Sequence, residues 1–136
     1  MIGEEDGEGA VRAFSALTGG LYRGDLCGAV CGAGAVIGSL FGKGSPADVE
    51  DPRLASTIRT LYDRFKEMVV DKYGDTSCQT ISHCNWYDPA DVKARKVDGR
   101  RDECTRLVGE VAKMVGELLL KVVGEKELKI LQGETD

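Results

Sequence analysis

The feature that most constrains the fold is an uncharged apolar stretch, LCGAVCGAGAVIGSLFG, over residues 26–42, with five glycines and two cysteines. It is short for a membrane span, which needs about 20 residues, and glycine makes a poor lipid-facing surface. Each glycine inside a helix costs about 1 kcal/mol relative to alanine. The stretch is therefore predicted to be a core helix. A closely approaching backbone or a ligand that needs the space should offset its glycines.

The two cysteines of this stretch, Cys27 and Cys31, are four residues apart and would share one helix face. Their β-carbons would lie about 5–6 Å apart, whereas a disulfide needs about 3.5–4.5 Å. Both sulfurs are therefore expected to face a third group: another cysteine, a metal or a bound cluster. Gly28 and Gly32 belong to a small-residue face beside them, where close packing is expected. Tight helix packing alone, with buried free cysteines, is an equal alternative.

Capping signals and apolar spacing predict an all-α fold. A short helix over residues 10–17 should stop at Gly19 and Gly20. Asp25 is the predicted N-cap of the glycine-rich helix, which should end at Phe41. The helix N-terminus should lower the pKa of the Cys27 thiol, with Asp25 opposing this effect.

Three further helices are predicted after a turn-rich linker over residues 42–51. The first begins at Asp51-Pro52 and ends at Gly74, and its apolar face is Leu54, Ile58, Leu61, Phe65 and Met68. A polar, irregular loop over residues 75–88 holds Cys78, Cys84, the only histidine and the only tryptophan. Asp88-Pro89 opens another helix. The last helix runs from about Gly99 to Val123, with a buried stripe of Cys104, Val108, Val111, Val115, Leu118 and Val122.

Composition places these helices in one small bundle. A chain of 136 residues can bury a core without disulfides. Residues 1–9 are acidic and glycine-rich, so a disordered N-terminus is expected, followed by a single helical domain over residues 10–132. We predict about four main helices with a cysteine-bearing loop.

The net charge limits the binding partners of the protein, and the first residues limit its predicted location. The net charge of −5 argues against nucleic-acid binding, which needs a basic surface. The basic residues near position 100 alternate with acidic ones, which is typical of a solvated face. The first residues have neither a basic region nor an apolar region, so no secretory signal is predicted. A cytoplasmic protein without a membrane contact is expected.

The five cysteines are an odd number in a chain expected to be cytoplasmic, so a complete disulfide framework is not expected. The six-residue step from Cys78 to Cys84 matches neither zinc nor ferredoxin spacings. A cysteine-nucleophile enzyme would need His83 as its base, and nothing in the sequence places His83 beside Cys27.

Residues 27–32 read C-G-A-x-x-G, and an amphipathic helix, Ser77-Cys78 and Cys104 follow. In this order the chain resembles the redox-active protein family named for the cysteine signature C_GCAxxG_C_C, over roughly residues 15–122. The resemblance implies a helical fold and redox thiols at Cys27, Cys78 and Cys104. Members of that family usually carry an earlier cysteine as well. This chain has none before Cys27, and Cys31 or Cys84 could supply a fourth sulfur.

The leading hypothesis is a small redox-active protein that uses a cluster of thiols. Two mechanisms stay open: disulfide exchange with Cys27 as the attacking thiol, or an iron–sulfur cluster as cofactor. Metal or cluster ligands would come from Cys27, Cys31, Cys78, Cys84 and Cys104, and Gly28 and Gly32 would make room. The alternative is a non-catalytic helical interaction module with structural cysteines. A redox partner protein is expected, and so is a homodimer with contacts from Leu128, Ile130 and Leu131.

Overall fold

A computed structural model describes the backbone of residues 4–131 and the side chains of residues 7–127, 129 and 130. Within these residues there is no β-strand, and the predicted all-α fold is confirmed. The helices are α1 (Glu4–Phe14), α2 (Gly28–Phe41), α3 (Arg53–Tyr73), α4 (Cys78–Ser82), α5 (Pro89–Ala94) and α6 (Arg100–Leu131). No helix in the described part is long and apolar enough to span a bilayer.

The core lies where α2, α3 and α6 pack against one another. Ile37 of α2 and Phe65 of α3 are fully buried, and α6 contributes Val111. The helix predicted to begin at Asp51-Pro52 is confirmed as α3, which begins one residue later, at Arg53, with Pro52 as its N-cap. The Asp51 carboxylate accepts a hydrogen bond from the Arg53 amide at 2.8 Å. The spacing of apolar residues predicted the face of α3, and the capping signal predicted where the helix begins.

Helix α6 is longer than predicted, and its buried face differs from the predicted one at a single position. It continues through Leu131, with a kink at Gly124, where φ is 73° and ψ is 164°. The predicted stripe is wrong at Val108, which is 53% exposed, whereas Leu107 is buried. Beyond the kink, Glu127 pairs with Arg53 at 2.7 Å, so the end of α6 is tied to the start of α3.

The N-terminal elements differ from the predicted short helix. Helix α1 ends at Phe14, and a 3₁₀ turn, Ser15–Leu17, follows it. After Thr18, the four residues from Gly19 to Tyr22 all have φ between 57° and 63°. We call residues 19–24 the left-handed turn. The division into a disordered tail over residues 1–9 and one domain over residues 10–132 stays a prediction, with residues 1–3 and 132 outside the described chain.

A single antiparallel bridge between Leu26 and Ser77 joins the starts of α2 and α4. The Cys27 amide donates to the Thr76 carbonyl at 3.1 Å, and the Cys78 amide donates to the Asp25 carbonyl at 2.6 Å. The predicted Asp25 N-cap is therefore wrong: its carboxylate binds the Leu26 amide, and Cys27 is the N-cap of α2. The loop predicted over residues 75–88 contains the short helix α4, capped by Ser77.

Candidate functional site: a cavity lined by three cysteines

Three cysteines that are far apart in the sequence line one cavity of about 180 Å³. Cys27 comes from the start of α2, Cys78 from the first turn of α4 and Cys104 from the first turns of α6. The bridge explains two of these positions, because Cys27 and Cys78 are diagonal neighbours across it and so project from the same face. We call this site the three-cysteine cavity.

Burial dominates the chemistry of the first thiol. The amides of Ala29 and Val30 at the start of α2 lower the pKa of Cys27, but desolvation raises it by more. The net pKa of Cys27 is therefore raised, contrary to the expected lowering at a helix N-terminus. The helix N-terminus acts as predicted, but it does not compensate for the loss of water around a side chain that is 7% exposed.

Burial also raises the pKa of the Cys78 thiol, to about 11, although a hydrogen bond with the Ser82 hydroxyl lowers it. Ser82 is itself buried, and its hydroxyl donates to the Cys78 carbonyl at 2.5 Å. With Cys27 shifted in the same direction, both thiols are predominantly protonated and neutral at pH 7. These two thiols therefore add no negative charge to the cavity at pH 7.

The other two cysteines do not line this cavity. Cys31 lines a separate cavity of about 240 Å³ together with Leu21 and Asp25. Cys84 is 1% exposed and packs in a small cluster with Cys78 and Trp86. The predicted shared face does not bring the two thiols into one cavity: Cys27, the N-cap of α2, lines the three-cysteine cavity, and Cys31 lines the other.

The arrangement of thiols does not fit a four-thiolate cluster. An iron–sulfur cluster of the all-cysteine kind needs four converging thiolates, and the three-cysteine cavity has three. Among the described residues, no group of three or more histidine, cysteine, aspartate or glutamate side chains is placed to hold one metal ion.

His83 lies at the C-cap of α4 with a φ of 48° and is exposed. It is not part of the cavity lining. A Cys–His catalytic pair therefore has no support in this geometry.

The glycines do not all have the role expected of them. A β-carbon at Gly28 would lie 3.3 Å from the Leu17 carbonyl oxygen, whereas a β-carbon at Gly32 would meet nothing within 4 Å. The tightest glycine contact to a side chain is at Gly19, where a β-carbon would collide with the Trp86 ring. Gly32 instead lines an apolar groove of about 280 Å³ between α2 and α6.

Sequence reasoning missed two residues of the site. Trp86 was placed only in the loop over residues 75–88, and Arg95 is one of the basic residues assigned to a solvated face. Both line the three-cysteine cavity, and the Arg95 guanidinium lies over the Trp86 ring, 5.3 Å from its centroid. No local signal distinguishes Arg95 from Arg100, which is held by Asp91 at 2.8 Å and Asp98 at 2.6 Å.

The fold and the cavity define a small all-α protein in which three thiols meet. Residues 2–118 match the family described as "Putative redox-active protein (C_GCAxxG_C_C)". Because the match covers most of the 136 residues, the chain belongs to this family, and a redox role agrees with it. Comparisons with curated proteins and with solved structures give no match.

Proposed function

We propose that the protein is a dithiol electron donor that works by disulfide exchange at the three-cysteine cavity. The observation that carries the proposal is that Cys27, Cys78 and Cys104, from three different helices, line one cavity. Family membership supports the same redox class.

Cys27 and Cys78 are the proposed pair, since the Leu26–Ser77 bridge makes them diagonal neighbours that project from the same face. In the reaction their two S–H bonds break and one S–S bond forms. The two electrons reduce the disulfide of a redox partner protein, and the two protons pass to the partner's sulfurs. Cys104 is the third thiol, able to exchange with this disulfide.

The raised pKa values of Cys27 and Cys78 favour donation rather than acceptance of electrons. Strongly oxidising dithiol proteins have low thiol pKa values, because the thiolate stabilises their reduced form. Here the reduced form has no such stabilisation at pH 7. We therefore expect a reducing rather than a strongly oxidising dithiol.

The test is oxidation with diamide followed by mass-spectrometric disulfide mapping. The expected product is a Cys27–Cys78 bond. Changing Cys27 or Cys78 to serine should abolish this bond. Cys104→Ser should leave the bond in place and remove only its exchange with the third thiol. Cys31→Ser is the matched control, because its side chain lines a separate cavity, and it should oxidise like the wild type.

Two results would replace the proposal. Five thiols that stay unmodified by diamide would support the interaction module with structural cysteines. Iron together with acid-labile sulfide in anaerobically purified protein would instead favour an iron–sulfur cluster, with the cysteines as ligands.

The proposal also covers the cellular location, the partner and the oligomeric state of the protein. Reduced thiols suit the cytoplasm, and we infer that the protein works there with a redox partner protein. A homodimer is supported by the α2–α6 groove, at which Val36 is 43% exposed and Val108 is 53% exposed. Ile130 is also exposed, while the side chains of Leu128 and Leu131 lie outside the described residues. A monomeric mass by light scattering at micromolar concentration would contradict the homodimer.

A further inference from the structure

The three-cysteine cavity is lined by two residues with unsatisfied hydrogen-bond donors. Among the described residues, the buried side-chain nitrogens without a partner are Trp86 Nε1 and Arg95 Nε, and both residues line this cavity. Trp86 is 7% exposed. Leaving a buried donor without an acceptor costs about 1–3 kcal/mol. Two such donors at one cavity indicate that an acceptor from outside the chain belongs there.

The positive charge at the cavity is not neutralised by a carboxylate. Within the described part of the chain Arg95 forms no ion pair, whereas Arg53 and Arg100 each hold two acidic side chains. The Cys78 thiol, with its pKa of about 11, does not supply a negative charge at pH 7 either. The cavity therefore contains a guanidinium that neither a carboxylate of the described residues nor the Cys78 thiol neutralises, which favours an anionic occupant.

The start of α2 adds a third favourable feature. This helix has 14 residues, and Gly28 and Ala29 from its first turn line the cavity. The amides of Ala29 and Val30 in this first turn already face the Cys27 thiol, so the helix favours an anion chiefly through its dipole.

We propose that the three-cysteine cavity binds a small oxyanion between Arg95, Trp86 and the N-terminus of α2. The volume of about 180 Å³ is below the range of about 300–1,000 Å³ found for drug-sized ligands, so the occupant is small. Oxygen acceptors match the two nitrogen donors, and the negative charge matches the guanidinium. The binding site does not depend on the proposed disulfide exchange, because a redox-inert anion should also occupy it.

Sulfate is a suitable probe, and the single tryptophan provides the signal. The reduced protein, kept in a neutral dithiol reductant, is titrated with sulfate at constant ionic strength set with chloride, and Trp86 fluorescence is recorded. We expect a saturable change. Arg95→Met should weaken sulfate binding about tenfold or more, because it removes a charged donor. Arg101→Met, at an exposed residue of α6, is the matched control and should bind within about twofold of the wild type.

A second variant guards against misfolding. Arg95→Lys keeps the charge but lacks the Nε donor, and should bind sulfate with intermediate affinity. Circular dichroism of each variant checks the helices. The proposal is overturned if sulfate and chloride change the fluorescence equally, or if a folded Arg95→Met variant binds sulfate like the wild type. Loss of sulfate binding would leave diamide mapping of Cys27 and Cys78 unaffected, so the two proposals fail separately.

Discussion

Cys78 illustrates how burial controls the chemistry of a single residue in this protein. Its thiol is 8% exposed and touches the hydroxyl of a buried serine, yet desolvation still raises its pKa to about 11. A thiol in the unfolded chain has a pKa near 9. Folding therefore favours the protonated form of Cys78, and the protein's stability must depend on pH in the alkaline range.

We expect this residue to destabilise the folded protein as pH rises from about 9 to about 11. Over that interval the folded state keeps the Cys78 proton and the unfolded state has lost it, so the free energy of unfolding falls, by about 2 kcal/mol. Urea unfolding of the reduced protein at pH 8 and pH 11 measures the change. Cys78→Ser, which removes the titrating group, should show a smaller fall. An equal fall in both proteins would contradict the predicted pKa shift.

The sequence predicted which cysteines form the site, but not how deeply they are buried or which side chains they contact. The C-G-A-x-x-G motif singled out Cys27, and the family resemblance added Cys78 and Cys104. The pKa direction at Cys27 was wrong, because the sequence shows a helix start but not the depth of burial. Arg95 was missed because its role depends on contact with Trp86, nine residues earlier and on the other side of α5 in the sequence.

The left-handed turn is the element that shapes one wall of the cavity. Leu21 and Tyr22 adopt a backbone conformation that costs an L-residue about 1–2 kcal/mol. Tyr22 meets the Trp86 ring edge-on, with centroids 6.3 Å apart, and Gly19 lies under the same ring. The left-handed turn therefore packs directly against Trp86, and we expect these contacts to offset the cost of its backbone conformation.

Two glycine substitutions should therefore have opposite effects on stability. Gly19→Ala adds a β-carbon against Trp86 at a φ of 63°, and should destabilise the protein by about 2 kcal/mol or more. Gly32→Ala fills open space inside α2 and should stabilise it by about 1 kcal/mol. Urea unfolding gives both values. If Gly19→Ala were as stable as the wild type, the close packing of the turn on Trp86 would be incorrect.

Elements were predictable where local signals suffice. Helix α3 has a cap, a regular apolar face and a terminal glycine, and all of these can be read within about 25 residues. The start of α2 was misassigned because the Asp25 carbonyl binds the Cys78 amide, a partner far along the chain. The face of α6 was misassigned by one residue at Val108, since Leu107 is equally apolar and only packing against α2 and α3 selects between them.

At the scale of the whole molecule, the bundle brings distant segments to one site through a short backbone bridge. The Leu26–Ser77 bridge was invisible in the sequence, because a single pair of residues has no period. The all-α class and the approximate number of helices followed from capping signals and spacing. The cavity itself depends on how α2, α4 and α6 meet, which no local pattern specifies.

The bridge also has a topological consequence. A Cys27–Cys78 bond would close the chain segment between these residues into a covalent ring. This ring would include α3 and the exposed loop over residues 42–50. Exposed loops are the preferred sites of proteolysis, and trypsin can cut this one after Lys43. In the oxidised protein the two fragments should run as one species on a non-reducing gel and separate on reduction. Nicked Cys27→Ser protein should separate in both cases, so one gel band would report the redox state.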